Sequence, residues 1–430
     1  MSDDEQPGGV HHGFLRSIRK EVPQALTGGP VDGHAEVAAM LRELGIALIE
    51  CEQPTHLVEA RLLAIAKNYT TETVRVVVFP TALVVQVGTV AYEVSTVVKP
   101  TTQLDLAGRV DAIAELAEVG AITAADAARE AAEARSMPPR FGPVVTVIGY
   151  TITTLGFGMV INPTWASLWG YVFLGAVVGT ITLLGRPFPT LAAVLPVLAA
   201  AVVTLLASWF VADAANDGLL RVVSPPLVAV LPGLALTIAA MELASTQIIS
   251  GATRLIYGVT QLMLLVFGVG LGVHLGVALL EPQQPSAQMG SWSLYAAVVV
   301  VSVGLYIYLS APKGSLLWLM LAVGVALIGQ KVGTLFMSPT HAGALGAFLV
   351  VPFAMLGARI KTSPPAIVMM LAAFWAMVPG ALSFESLSET AAGQGGVTAL
   401  GTTVAAIFSI ALGTLVGWSV LATINARRRR

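Results

Sequence analysis

The pattern of hydrophobic and polar positions along this chain changes near Gly142. Before it, apolar residues recur at helical spacing in two stretches, at Val37, Met40, Leu41, Leu44 and Leu48 and at Val58, Leu62, Ile65 and Tyr69. Three β-rich runs (Val74–Phe79, Leu83–Val87, Val90–Val98) and two more polar helices (Leu104–Val119, Ala124–Arg135) follow. This order predicts an α+β domain over residues 34–140, after a flexible segment over residues 1–33.

Beyond Gly142 the pattern becomes a series of long apolar runs, each close to the roughly 20 residues that cross a bilayer. Ten spans are predicted, at residues 143–161, 165–184, 188–210, 222–243, 255–280, 292–310, 314–330, 341–358, 364–383 and 398–424. The spans divide into five-span halves at 141–281 and 291–426, and a basic tail, 427–430, ends the chain.

The charged residues agree with this division. The first 142 residues hold 31 of the 48 Asp, Glu, Lys and Arg residues, and only 11% of the whole chain is charged. With the N-terminal domain in the cytoplasm, ten basic residues fall on the cytoplasmic side and two, Arg221 and Lys331, on the other. We therefore expect a multi-pass protein of a bacterial cytoplasmic membrane with both termini cytoplasmic.

Two of the predicted spans contain helix-breaking pairs. The fourth has Pro232-Gly233 after Ser224-Pro225-Pro226, and the ninth has Pro379-Gly380 after Ser363-Pro364-Pro365. Because each half has five spans, matching elements would cross the membrane in opposite directions. This is the inverted-repeat plan of many secondary transporters, whose sites lie near broken helices, although membrane helices also tolerate both residues as packing features.

Polar side chains within the spans are the candidates for a transport cavity, because unpaired polar groups are costly in lipid. Thr151 and Thr154 lie in a hydroxyl-rich first span, although threonine hydroxyls often bond to their own helix backbone. Thr237 and Glu242 follow the first Pro-Gly pair, and Ser383 and Glu385 follow the second. Either glutamate could bind protons or could be a solvated residue at the end of its span.

The sequence lacks the motifs that are typical of several other classes of function. The chain has no Walker A sequence and no His-Glu-x-x-His motif, and its one cysteine, Cys51, excludes a cysteine-based metal cluster. A net charge of −2 gives no reason to expect nucleic acid as a partner. We expect no enzyme, no cofactor and no metal site, but a carrier of small molecules and protons in the lipid bilayer, which could form a homo-oligomer.

The chain resembles the threonine/serine exporter family of bacterial membrane proteins over almost its whole length. The resemblance rests on Ala38–Gly45 with Val58–Tyr69, on Thr73–Val87, on the sequence Leu231–Thr237 and on Val378-Pro379-Gly380. It implies a cytoplasmic domain followed by ten spans, and export of small hydroxy amino acids driven by the proton motive force. It also implies that the N-terminal domain is needed for transport.

Together these features predict that Pro232, Gly233, Thr237, Pro379, Gly380, Ser383, Thr151 and Thr154 bind the substrate, and that Glu242 and Glu385 couple its movement to protons. Two alternatives stay open. The first is a dicarboxylate exporter, although no Arg or Lys lies well inside a predicted span. The second is a membrane sensor with a ligand-binding cytoplasmic domain.

Overall fold

A computed structural model describes residues 20, 33–95, 102–185, 188–211, 219–276, 287–377 and 397–428. The N-terminal region, residues 34–135, consists of α1 (His34–Glu50), α2 (Thr55–Ala66), β1 (Val74–Phe79), β2 (Ala82–Val87), β3 (Val90–Ser95), α3 (Leu104–Glu118) and α4 (Ala124–Arg135). These elements lie within a residue or two of the predicted positions, except that residues 96–101, at the predicted end of β3, are outside the described residues.

The strands of the N-terminal region form an antiparallel meander in the order β1-β2-β3. Val76 pairs with Val85 across β1 and β2, and the side chains of both are buried, as are those of Val78 and Leu83. Alternate residues of each strand therefore face one side, where α1 and α2 pack. The predicted apolar positions of α1 and α2 are all buried in this core.

Eleven further helical segments follow within the described residues. They are α5 (Pro143–Ile161), α6 (Ser167–Gly185), α7 (Pro189–Phe210), α8 (Leu219–Leu227), α9 (Gly233–Ala244), α10 (Ile248–Leu275), α11 (Ser293–Tyr308), α12 (Leu316–Gly333), α13 (Pro339–Gly357), α14 (Ala366–Met377) and α15 (Val397–Arg428). Six of them contain a stretch long and apolar enough to cross a membrane: α5, α6, α10, α12, α13 and α15. The protein is therefore a polytopic helical membrane protein.

The fourth predicted span is broken into α8 and α9, as its Pro-Gly pair predicts. Pro232 has no N–H group to continue a helix, and it is the N-cap of α9, which begins at Gly233. The two Ser-Pro-Pro motifs, in contrast, have different local structures. Pro225 and Pro226 lie inside α8, whereas Pro364 and Pro365 precede α14.

Two sets of four membrane helices make corresponding contacts. In the first set α5 packs on α6, α6 on α7, and α7 on α10, and in the second set α11 packs on α12, α12 on α13, and α13 on α15. Glycines allow the close approach in the last pair of each set. Cβ atoms at Gly268 and Gly272 of α10 would meet backbone carbonyls of α7, and Cβ atoms at Gly413 and Gly417 of α15 would meet those of α13.

The helices α5 and α11 cross in close contact, and this contact is reciprocal. A Cβ atom at Gly156 would lie 2.7 Å from the backbone nitrogen of Val301, and one at Gly304 would lie 2.5 Å from that of Thr153. Gly304 follows Gly156 by 148 positions, and Val301 follows Thr153 by the same 148 positions. Corresponding residues therefore exchange places across the crossing, as they do around a two-fold axis.

The N-terminal region contacts the helical part at two places. The backbone N–H groups of Leu104 and Asp105 donate to the carbonyls of Leu309 and Ser310, 2.8 and 3.1 Å away. At the second place, Thr55, the first residue of α2, contacts α9, and Glu52, between α1 and α2, contacts α10. This second contact contains the charged groups described below.

Candidate functional site

A cavity of about 810 Å³ lies between the N-terminal region and the membrane helices. One wall is α9, whose Leu234, Thr237, Ile238 and Met241 line it. Leu234 and Met241 are seven residues apart, so the cavity follows α9 for about 10 Å, at 1.5 Å per residue. Its volume lies in the range of about 300–1,000 Å³ that small-molecule sites occupy.

The two ends of this cavity differ in polarity. Alongside α9, the walls are mainly apolar and are contributed by α14 and α15, including Met370, Phe374 and Trp418. At the N-terminal region, four acidic and three basic residues line the cavity: Glu52, Asp111, Glu115, Glu118, Lys20, Arg61 and Arg359. This end therefore offers both signs of charge, with one more acid than base.

Arg61 is held firmly at the charged end. Its guanidinium donates to Asp111, 2.5 Å away, and to Glu118, and only 16% of its side chain is exposed. Burial raises the pKa of the nearby Glu115, and the negative charge of Asp111 raises it further.

Glu242 lies behind the cavity wall, next to Met241 in the chain, and its side chain is completely buried. The backbone N–H and the hydroxyl of Thr55 both donate to its Oε1, each over 2.9 Å. Thr55 is the first residue of α2, so its N–H has no acceptor within its own helix. A carboxylate from α9 therefore caps α2, where the helix dipole also favours a negative charge.

Arg254 connects this carboxylate to a second one. Its Nε lies 3.4 Å from Oε2 of Glu242, and its Nη1 donates to Oε2 of Glu52 over 3.1 Å. The side chain of Arg254 is 9% exposed and that of Glu52 is 21% exposed. Burial raises the pKa of Glu52, while the charge of Arg254 opposes that increase.

His56, which follows Thr55, completes the group of titratable residues at this junction. Its Nδ1 is buried and has no hydrogen-bond partner within the described part of the chain. Burial lowers the pKa of His56, and the charge of Glu242 acts in the opposite direction. We refer to Glu52, Thr55, His56, Glu242 and Arg254 as the junction cluster.

Some of the predicted site residues lie at or next to the cavity, and others lie outside the described residues. Thr237 lines the cavity, but its hydroxyl donates to the carbonyl of Gly233, 2.9 Å away. Pro232 and Gly233 form the start of α9, directly before the cavity-lining Leu234. Pro379, Gly380, Ser383 and Glu385 lie outside the described residues.

Thr151 and Thr154 are on α5, which contributes no residue to the described lining of the cavity. The hydroxyl of Thr151 donates to Val147 of its own helix over 2.9 Å, and the buried Thr154 packs against Gly175 of α6. Both threonines therefore serve helix structure and packing in this conformation.

Sequence reasoning missed Glu52, Thr55 and Arg254 as site residues. Arg254 was counted among the charges that set orientation, yet it lies in the second turn of α10, an otherwise largely apolar helix. A buried charge at such a position needs a partner, and this signal could have identified it.

Comparison with known protein families decides the family of this chain. A family model described as "putative threonine/serine exporter" matches residues 39–276, from α1 to the end of α10 and more than half of the chain. The chain belongs to this family. The match confirms the family resemblance over residues 39–276, which include the junction cluster and the α9 wall of the cavity.

No curated protein and no solved structure matches the chain in corresponding comparisons. What is specific to this member of the threonine/serine exporter family must therefore be argued from its own residues.

Proposed function

We propose that this protein exports threonine, serine or a similar small amino acid across a bacterial cytoplasmic membrane, in exchange for protons. The observation that carries this proposal is the cavity, which extends along the broken fourth span and has a buried carboxylate, Glu242, directly behind its wall. Membership of the exporter family supplies the class of activity. The geometry supports a substrate site in the cavity and a proton-binding site at Glu242.

The substrate site lies at the start of α9. The first N–H groups of a helix lack intrahelical acceptors and attract negative charge, so Gly233 and its neighbours hold the substrate carboxylate. Thr237, one turn further on, lies within reach of the substrate hydroxyl. The counterparts in the second half are Pro379, Gly380 and Ser383, with Glu385 as a second proton-binding candidate.

The helical part works as two inverted halves of five spans each. The corresponding contacts of the halves and the reciprocal crossing of α5 and α11 support this arrangement. The spacing of the Pro-Gly pairs supports it too, because Pro379 follows Pro232 by 147 positions, close to the 148 that relate the crossing residues. Rocking of one half against the other then opens the cavity alternately to each side.

In the proposed orientation, the N-terminal region and both termini lie in the cytoplasm. The cavity then faces the cytoplasm, and its charged end receives the substrate from there. Opposite charges close together suit a zwitterion, whose ammonium and carboxylate groups need partners of different sign.

The charged end also bears on the dicarboxylate alternative. A dianion needs an excess of positive charge, but the described lining contains four acids and three bases, and Arg61 is already paired with two carboxylates. This balance favours an amino acid.

Efflux from intact cells tests the proposal. Cells with and without the protein are loaded with labelled threonine through a threonine dipeptide, and efflux is followed with and without an uncoupler. We expect faster efflux in cells that contain the protein, and we expect the uncoupler to abolish the difference. Equal efflux from both strains, with the protein present in the membrane, would exclude threonine; serine and succinate are then tested in the same way.

A further inference from the structure

Glu52 occupies a backbone conformation that its side chain disfavours. It follows Cys51, the C-cap of α1, and its φ is +58°, in the left-handed region. The N–H of Gln53 donates to the carbonyl of Leu48 and the N–H of Glu52 to that of Ile49, which is the Schellman pattern for a helix end. Glycine is the usual residue at this position, so a glutamate here carries backbone strain.

The strained turn places the Glu52 carboxylate between the cavity and Arg254. The residue lines the cavity, and its Oε2 accepts a hydrogen bond from Arg254, 3.1 Å away. Glu242 lies on the other side of the same guanidinium but does not line the cavity. Of the two carboxylates that share Arg254, Glu52 is therefore the one that cavity water or substrate reaches.

The junction cluster has one more acid than base. Two carboxylates face a single guanidinium, and among the described residues the other groups that face them do not supply a second fixed positive charge. These are Thr55 and His56 at the start of α2 and Tyr257 on α10. Burial favours the neutral form of both His56 and an excess carboxyl.

The hydrogen bonds leave one position for a proton. Thr55 occupies Oε1 of Glu242 with two donors, whereas Oε2 accepts no hydrogen bond within the described residues. Nε of Arg254, 3.4 Å from that oxygen, likewise has no hydrogen-bond partner there. A proton on Oε2, or on Glu52, removes the surplus negative charge.

We propose that Glu52 is a second proton-binding residue of the exporter, and that Glu52 and Glu242 share one exchangeable proton across Arg254. A hydronium ion in the cavity donates the proton to the Glu52 carboxylate and becomes water, while Glu242 stays ionised beside the guanidinium. The proton returns to water by the same route, and no other bond changes. The two carboxyls titrate as a pair rather than as independent sites.

This inference rests on the proposed function in one respect, that the shared proton drives export. It gives the N-terminal region a direct part in transport, because Glu52 and Thr55 belong to that region while Glu242 and Arg254 belong to the membrane helices. Two experiments separate the inference from the proposed function.

The first experiment detects the proton without transport. The carboxyl band of the full-length protein is titrated by infrared difference spectroscopy in the wild type, Glu52→Gln and Glu242→Gln. We expect one buried carboxyl that takes up a proton above the ordinary pH range of glutamate in the wild type, and loss of that step in both variants, because each leaves one acid matched to Arg254. An unchanged step in Glu52→Gln, or no such step in the wild type, would overturn the proposal.

The second experiment uses the protein in proteoliposomes. Threonine exchange without a gradient is compared with threonine accumulation driven by a pH gradient, in the wild type, Glu52→Gln, Glu52→Gly and the control Glu59→Gln on α2. We expect both Glu52 variants to lose gradient-driven accumulation to a greater extent than exchange, and Glu59→Gln to retain both activities. Because glycine relieves the strain of the turn, misfolding does not explain a transport defect in Glu52→Gly.

The outcomes of the second experiment are distinct. If the wild type performs neither reaction with threonine, the proposed substrate is wrong, and the infrared titration still decides whether the proton is shared. If Glu52→Gly accumulates threonine as the wild type does, Glu52 is not part of proton coupling and the inference is wrong.

Discussion

Arg254 is the residue whose loss should disturb the junction cluster most, because it is the cation shared by both buried carboxylates. Its Nε lies 3.4 Å from Glu242 and its Nη1 3.1 Å from Glu52, and its side chain is 9% exposed. Arg254→Gln removes the charge and leaves the carboxylates uncompensated. Removing one partner of a buried ion pair typically destabilises a protein by about 3–5 kcal/mol, and we expect a loss of that order.

The loss of stability in Arg254→Gln should become smaller as the pH falls. Burial already raises the pKa of Glu52, and Arg254 opposes that increase, so its removal moves the pKa further up. A carboxyl with a higher pKa in the folded than in the unfolded protein contributes stability below the unfolded value, about 4.3, which is lost as the pH rises. The variant should therefore regain stability at acidic pH relative to the wild type.

Thermal unfolding of the detergent-solubilised protein at several pH values measures both effects. A matched control is Arg42→Gln, because Arg42 is 38% exposed and its loss leaves Glu43 paired with Arg135 over 2.9 Å. Pairs of this kind, with one partner near solvent, contribute about 1 kcal/mol or less. The double variant Arg254→Gln with Glu242→Gln should recover part of the loss, because it leaves one buried carboxylate fewer. If Arg254→Gln is no less stable than Arg42→Gln at neutral pH, the account of the junction cluster is refuted.

Three other predictions test separate parts of the structure. Gly304→Val should destabilise the protein by about 1–3 kcal/mol or more in thermal unfolding, because even a Cβ atom would lie 2.5 Å from the backbone nitrogen of Thr153. His56→Leu should reduce the loss of stability that the wild type shows as the pH falls below about 6.5, because burial lowers the pKa of His56 and the folded protein binds that proton less tightly. Ile238→Trp should abolish threonine transport while the protein still folds, because its side chain fills the cavity next to the site.

Each of these predictions has a contradicting result. Gly270, with no atom within 4 Å of an added Cβ, is the control for Gly304, and equal effects of valine at both would contradict the close crossing. An unchanged pH profile in His56→Leu would contradict the buried neutral imidazole. Ile256, 67% exposed, is the control for Ile238, and normal transport by Ile238→Trp would place the substrate elsewhere.

The sequence predicts the elements of this fold well because the patterns that define them are local. Helical spacing located α1 and α2, and Pro232-Gly233 located the break between α8 and α9. Glycines four residues apart, such as Gly268 and Gly272, are typical of a close helix contact, and α7 provides it. Among the residues that the structure describes, six helices meet the length and composition of a membrane span, and the count of ten spans stays a prediction.

The partners of the site residues were beyond the reach of such patterns. Thr55 and Glu242 are 187 positions apart, and no periodicity in either segment indicates that they meet. The sequence identified Glu242 as a possible proton-binding residue but also left a solvated position open, because burial depends on what packs over the end of α9. That cover is the N-terminal region, whose position is set by contacts between distant segments.

The most direct test of this account measures protons and threonine together. Full-length protein is reconstituted into liposomes that contain a pH-sensitive dye, and a threonine gradient is imposed without any initial pH difference. We predict that threonine moves protons in the opposite direction in the wild type, and that Glu242→Gln carries no such proton current while it still exchanges threonine. Threonine movement with no proton movement in the wild type, or an unchanged proton current in Glu242→Gln, would contradict the central claim.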